Sequence, residues 1–312
     1  MSFHIYKSIF DRKEWLLECL KTLQQPFFSI KYTFINMKRH LILLSAVLIV
    51  IFACNNTTEK KENLYKLQDK HVNNKDTTIN IPCIEPFIQI TSIGNVDIEY
   101  SQGEYNIQAV GSQEVIPLLE TSFDSGILTI GMKNETVVEL STIKNKQNIR
   151  LLITSPELKY LALCGNGNFE SNGIIETELF QVGNFASGII TIDSLKCNIF
   201  KFENNDIGKA IFKNVECKTT NISTFGTSKT DITIKAQKDI SVYTGGKSTI
   251  AMNVKTNRLE ILANNNSKGE FDIKCANLEV FAKNQSSLSL KGATKNKNIN
   301  KDYGCKIETF LN

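Results

Sequence analysis

Two consecutive blocks decide how this chain folds: FKFENNDIGKAIFKNVECKT at residues 200–219 and TNISTFGTSKTDITIKAQKD at residues 220–239. Laid over one another, they place Phe200-x-Phe202 on Thr220-x-Ile222, Asn204 on Thr224, and Asn205-Asp206 beside Gly226. Each block opens with the alternation of a half-buried strand. It then reaches a small or polar residue and meets residue types that tolerate a left-handed backbone.

Working outward, the same pattern recurs as seven copies. Their opening pairs are Leu161-x-Leu163, Phe180-x-Val182, Phe200-x-Phe202, Thr220-x-Ile222, Ile240-x-Val242, Leu259-x-Ile261 and Leu278-x-Val280. The second residues of these pairs are 19, 20, 20, 20, 19 and 19 residues apart. Two positions further on stand Gly165, Asn184, Asn204, Thr224, Thr244, Ala263 and Ala282, and a corner follows, made from Asn166-Gly167, Asn205-Asp206, Gly226, Gly245-Gly246, Asn264-Asn265 and Asn284. A second strand follows in most copies, as Ile190-x-Ile192, Ala210-x-Phe212, Ile232-x-Ile234, Ile250-x-Met252, Phe271-x-Ile273 and Leu288-x-Leu290.

A constant period carrying strand, corner and strand in one phase predicts an all-β parallel β-helix with turns of about 20 residues. Parallel neighbours need a long connection, which the rest of each turn supplies without a helix. An antiparallel sandwich also explains short strands punctuated by turn residues. It does not demand a period that barely drifts, so the coil is the preferred reading. The register predicts Asn184 beside Asn204, Thr224 beside Thr244, and Cys197 beside Cys217 on adjoining turns.

Ahead of the repeats, Phe87 to Ile153 alternates in the strand manner, with Ser101-Gln-Gly103, Gly111-Ser112 and Asp124-Ser-Gly126 as tight connections. This is the short β segment expected to precede the coil. Residues 81–312 therefore read as one β-helical head, and residues 54–80, rich in Asn, Thr, Lys, Glu and Asp, as a flexible tether.

Before the tether lies a leader. Lys38-Arg39-His40 begins it, Leu41 to Phe52 form a short apolar core, and Ile51-Phe52-Ala53-Cys54 closes it. A membrane span needs about 20 apolar residues, so the core suits a signal peptide better. The closing residues resemble the bacterial lipobox, which makes Cys54 the expected lipidation site at residues 37–53's cleavage point. The alternative is an ordinary secretory signal with a cysteine nearby. Residues 1–36 precede Met37 and read as an extended or spurious segment. Anchoring through acylated Cys54, palmitate included, makes the lipid bilayer a partner, with the outer membrane the expected location and the exposed side left open.

Subtracting residues 1–53 leaves 29 basic and 29 acidic residues, so the whole-chain charge of +4 belongs to the leader. Nucleic acid is therefore not an expected partner. The subtraction also removes Trp15 and two of three histidines, leaving His71, Arg150 and Arg258 as a thin catalytic inventory. No metal, cofactor or nucleotide motif is present. Six cysteines, Cys83, Cys164, Cys197, Cys217, Cys275 and Cys305, either form disulfides in an oxidising compartment or sit as buried thiols.

The order of motifs resembles a known family, the auto-transporter adhesin head or GIN domain of Bacteroidetes lipoproteins. Phe87-x-x-Ile90, Val96-x-Ile98, the strand Ile149 to Leu158, Gly165-Asn-Gly167, Val182-Gly-Asn184 and Tyr243-Thr-Gly-Gly246 carry the likeness, which runs from Phe87 to Ile307. It implies a β-helical fold similar to that of pectin lyases, with an adhesion role and no established catalytic residues.

Three functions follow as expectations. A glycan- or protein-binding adhesin, with no enzyme activity, comes first. A polysaccharide lyase or hydrolase would draw on Asp193, Asp206, Asp231 and Asp272, with Arg258 to stabilise charge. A purely structural envelope lipoprotein needs none of these.

Overall fold

The computed structural model describes residues 76–133 and 149–312. The leader, Cys54 and most of the tether lie outside these residues. The first strand, β1 (Thr77–Asn80), falls in the last four residues of the expected tether and pairs antiparallel with β4 (Asn106–Gly111).

The repeats form a solenoid whose neighbouring coils pair in parallel. Strands β9 (Phe169–Asn184), β10 (Ile189–Asn204), β11 (Lys209–Thr224) and β12 (Lys229–Thr244) each run most of a coil. Then β13 (Thr249–Lys255) with β14 (Arg258–Ala263), β15 (Lys268–Ala282) and β16 (Ser287–Lys301) continue the stack, and β17 (Lys306–Leu311) covers only the first part of β16. Coils therefore rise about 4.8 Å each.

One inward column reads Val182, Phe202, Ile222, Val242, Ile261, Val280 and Ile299. The expected register holds from Val182 onward and extends one coil further. It slips in the first copy: Leu161, not Leu163, pairs with Val182. The second strands slip likewise, since Phe212 pairs with Ile232 and Met252 with Phe271. A shift of two residues keeps the same side chains inward, so alternation alone does not detect it.

The interior is filled by side chains. Phe200 packs on Phe180 with ring centroids 6.4 Å apart, and Phe212 meets Phe202 edge-on at 4.8 Å. Phe180, Phe200, Phe212 and Phe271 are buried. Each such ring contributes about 1.5–3 kcal/mol over an exposed one.

The corner column is also inward. Asn184, Asn204, Thr224, Thr244, Ala263 and Ala282 stack in register and are buried. The asparagines do not bond to each other. Asn204 Nδ2 donates to the carbonyls of Gly208 at 3.2 Å and Lys229 at 3.0 Å, and to Thr230 Oγ1 at 2.9 Å. From Ser228 onward, buried serines enter the opposite side of the corner: Ser228 reaches the Asn204 carbonyl at 3.1 Å, and Ser267 the Thr244 carbonyl at 3.2 Å.

The N-terminal end of the stack is built differently. The first coil combines two passages of chain. β3 (Val96–Gln102) lies between β7 (Ile149–Ser155) and β9, and β2 (Gln89–Ser92) lies between β6 (Ile127–Met132) and β8 (Tyr160–Leu163). The Gly165-Asn-Gly167 corner allows this close stacking: a Cβ at Gly167 would sit 2.0 Å from the Val96 carbonyl oxygen, and one at Gly165 2.1 Å from that of Gly94. Antiparallel β4 and β5 (Leu119–Asp124), which pair with β7 and β6, finish this end, with a 3-10 turn at Ile116–Leu118.

Candidate binding face

The coil changes shape at β12, and that change creates a broad outer face. In β11, inward residues fall at Ala210 and Phe212, then Val215 and Cys217, then Thr220, Ile222 and Thr224. Alternation breaks twice, so the strand turns two corners. In β12 the inward set Thr230, Ile232, Ile234 and Ala236 runs without a break. The first corner is lost, and the strand from Lys229 to Lys235 becomes one straight run. β13 and β15 repeat it in register.

Four outward columns line this face. They are Lys229, Thr249 and Lys268; Asp231, Ala251 and Glu270; Thr233, Asn253 and Asp272; and Lys235, Lys255 and Lys274. Small side chains at Thr249 and Ala251, between longer ones on the adjoining coils, leave an open depression of about 280 Å³. Lys209, Lys229, Asp231, Lys268 and Glu270 rim it.

The residues singled out for catalysis are not brought together. Asp193 accepts an ion pair from Lys213 at 2.6 Å, and Asp272 faces Lys291 at 3.4 Å. Asp206 occupies a corner with φ of 56°. Arg258 bridges Glu279 at 3.0 Å and Glu260 at 3.5 Å, and these carboxylates hold its guanidinium above its ordinary pKa. Only Asp231 lines the depression. Its neighbour across Ala251, Glu270, was not singled out, although it lies two periods further along the same column. Among the described residues, no cluster of three or more His, Cys, Asp or Glu gathers to hold a metal. Cys54 and His71 lie outside the described residues.

The six described cysteines are free thiols. Cys197 and Cys217 occupy the same level of adjoining coils, as the period predicts, and burial pushes each thiol up to about 12. They pack as small apolar residues.

With the geometry in hand, comparison with known proteins adds a family. Residues 86–233 match the family model described as "Putative auto-transporter adhesin, head GIN domain". This segment is similar to the GIN head-domain family. The GIN match ends short of the expected Ile307, although the solenoid continues. No curated relative matches the sequence.

Solved structures resemble the head throughout. A putative adhesin from Parabacteroides merdae ATCC 43184 superposes with a TM-score of 0.64 at 16% identity, covering 76% of this chain and 97% of that one. One from Parabacteroides distasonis ATCC 8503 gives 0.63 at 16%, covering 76% and 98%. A putative lipid binding protein from the same organism gives 0.65 at 18%, covering 76% and 97%. At such identities the likeness establishes the fold.

Proposed function

We propose that this chain is an envelope-anchored binding protein whose GIN-type head presents an outer face of the solenoid to a glycan or surface protein. The observation that carries this reading is the fate of the catalytic candidates. Asp193, Asp272 and Arg258 are engaged in exposed ion pairs and Asp206 in a corner, so the surface is what the head offers. Acylated Cys54 supplies the anchor. No helix among the described residues is long and apolar enough to cross a membrane.

Hydrolysis has one observation in its favour, the placing of Asp231 and Glu270 across a depression. Their strands are two coils apart, roughly 10 Å. Both side chains stand in solvent, whereas glycosidic cleavage relies on an enclosed pair. The lipid binding described for the Parabacteroides distasonis neighbour gains no support from the described interior, which phenylalanine rings fill.

The test is a glycan array probed with the full chain, followed by size analysis of any bound polysaccharide. Retention without shortening is expected. Shortening that disappears in Asp231→Asn would overturn the binding reading in favour of hydrolysis.

A further inference from the structure

One outward column changes its rule partway down the solenoid. Across β9 to β12 it alternates in charge: Glu176 neighbours Lys196, Lys196 neighbours Glu216, and Glu216 neighbours Lys235. The pairs are real contacts, with Lys196 to Glu176 at 2.7 Å and Lys235 to Glu216 at 3.5 Å. Opposite charges on adjoining strands stabilise a sheet, and like charges opposed destabilise it.

Beyond β12 the alternation stops. Lys235 neighbours Lys255, and Lys255 neighbours Lys274. All three side chains are exposed. The outward residues beside Lys255 and Lys274 are Asn253 and Asp272, and Asp272 is drawn toward Lys291 on the next coil. Asp231 and Glu270 lie two columns away. The imbalance extends beyond the row: from Lys229 to the last residue the sequence holds 14 Lys or Arg against 8 Asp or Glu, although the mature chain is neutral.

We propose that the row Lys235, Lys255 and Lys274 is the contact line for a linear polysaccharide carrying carboxylate or sulfate groups. The inference deepens the reading of the head as a binding module and rests on it. Three considerations select this occupant. Three ammonium groups in a line on a straight-walled face complement a polyanion and not a neutral chain. Coil spacing sets one cation about every 4.8 Å, close to the length of a single sugar ring, so successive residues of an extended acidic glycan meet successive lysines. The row also costs stability that an alternating column would keep, and an anionic ligand relieves that repulsion.

The decisive variant is Lys255→Glu, because it continues the alternating pattern and so threatens binding without threatening the fold. The full chain is run through gels containing polygalacturonate, neutral dextran or nothing, and against phosphatidylglycerol vesicles. Polygalacturonate is expected to retard the native chain, less so as salt rises, and Lys255→Glu to weaken binding by about tenfold or more. Its thermal midpoint is expected to equal or exceed the native one. Lys201→Glu carries the same change in net charge on another face and is expected to bind as the native chain does.

Equal losses in Lys255→Glu and Lys201→Glu would overturn the proposal, reducing it to net charge. Equal retardation by dextran, or binding to vesicles but not to polygalacturonate, would also overturn it. A neutral glycan found on the array would sink this proposal while leaving the binding function standing; no ligand of any kind would sink both.

Discussion

Along the Asn184 to Ala282 corner column the same small volume is filled by different pairs of residues. Asn204 with Gly208 is one solution, and Thr244 with Ser248, whose hydroxyls lie 2.9 Å apart, is another. At Gly208 the fit is tight: a Cβ there would stand 2.5 Å from Asn184 Nδ2, 2.7 Å from Asn204 Oδ1 and 2.8 Å from the Ala186 carbonyl oxygen. Gly208→Ser is therefore expected to cost about 1–3 kcal/mol. In a double-mutant cycle with Asn184→Thr, urea denaturation is expected to recover on the order of 1 kcal/mol of that loss. Strict additivity would mean that the two positions do not share a volume. The buried thiols make a second residue-scale prediction. Cys197 and Cys217, pushed up to about 12 from 9.0, and Tyr100, raised to about 12 from 10.0 and hydrogen-bonded to the Ser155 carbonyl at 3.2 Å, all favour their neutral forms in the fold. Their contribution is full below about pH 9 and is lost as pH rises through about 12. Urea midpoints at about pH 8 and about pH 11 are expected to fall in that order, and a flat profile would contradict the burial. At the lower pH a thiol-exchange reagent is expected to spare both cysteines until the chain is unfolded.

The last full strand breaks the rule of its own columns. Lys297 stands where Leu278 and Leu259 are inward, and Lys301 where Ala282 and Ala263 are. Beyond β16 only residues Ser287–Gly292 find a partner strand in β17, so the part bearing these lysines faces outward. Charge at such an edge opposes pairing with another chain. Replacing Lys297→Leu and Lys301→Ala gives this strand the residues of the coil before it. The double variant is expected to associate, eluting earlier on size exclusion as concentration rises; a concentration-independent elution volume would show that the lysines do not guard the edge. The columns themselves were legible because burial imposes alternation on every coil and the period carries it forward. The period puts Leu163 and Ile234 two residues out of register because such a slip preserves which side chains point inward, and only the strand pairing separates the choices. Glu270 is not legible for a related reason: burial imposes no rule on outward columns, so the pairing of Asp231, Ala251 and Glu270 appears only in the strand register.

For the whole molecule, the proposed lipid anchor and the head can be tested separately. Cys54→Ser is expected to move the protein from the membrane to the soluble envelope fraction and to abolish palmitate incorporation, with the melting curve of the head unchanged; continued membrane association would remove the lipid anchor from the account. Composition set the outline of the functional reading, since residues 54–312 carry 29 basic and 29 acidic residues and one histidine, which leaves few routes to catalysis. It hid the local excess of lysine, because opposite charges elsewhere cancel it. The lost corner at β12 carries one more consequence. The family match stops at residue 233, within the same run where Thr230 to Ala236 goes straight. The sequence match thus takes in the cornered coils and the start of the straight run, while Lys235, Lys255 and Lys274 lie beyond it. The proposed contact row and the proposed lipid site thereby fall in different stretches of the chain, so that a change in either leaves the other in place.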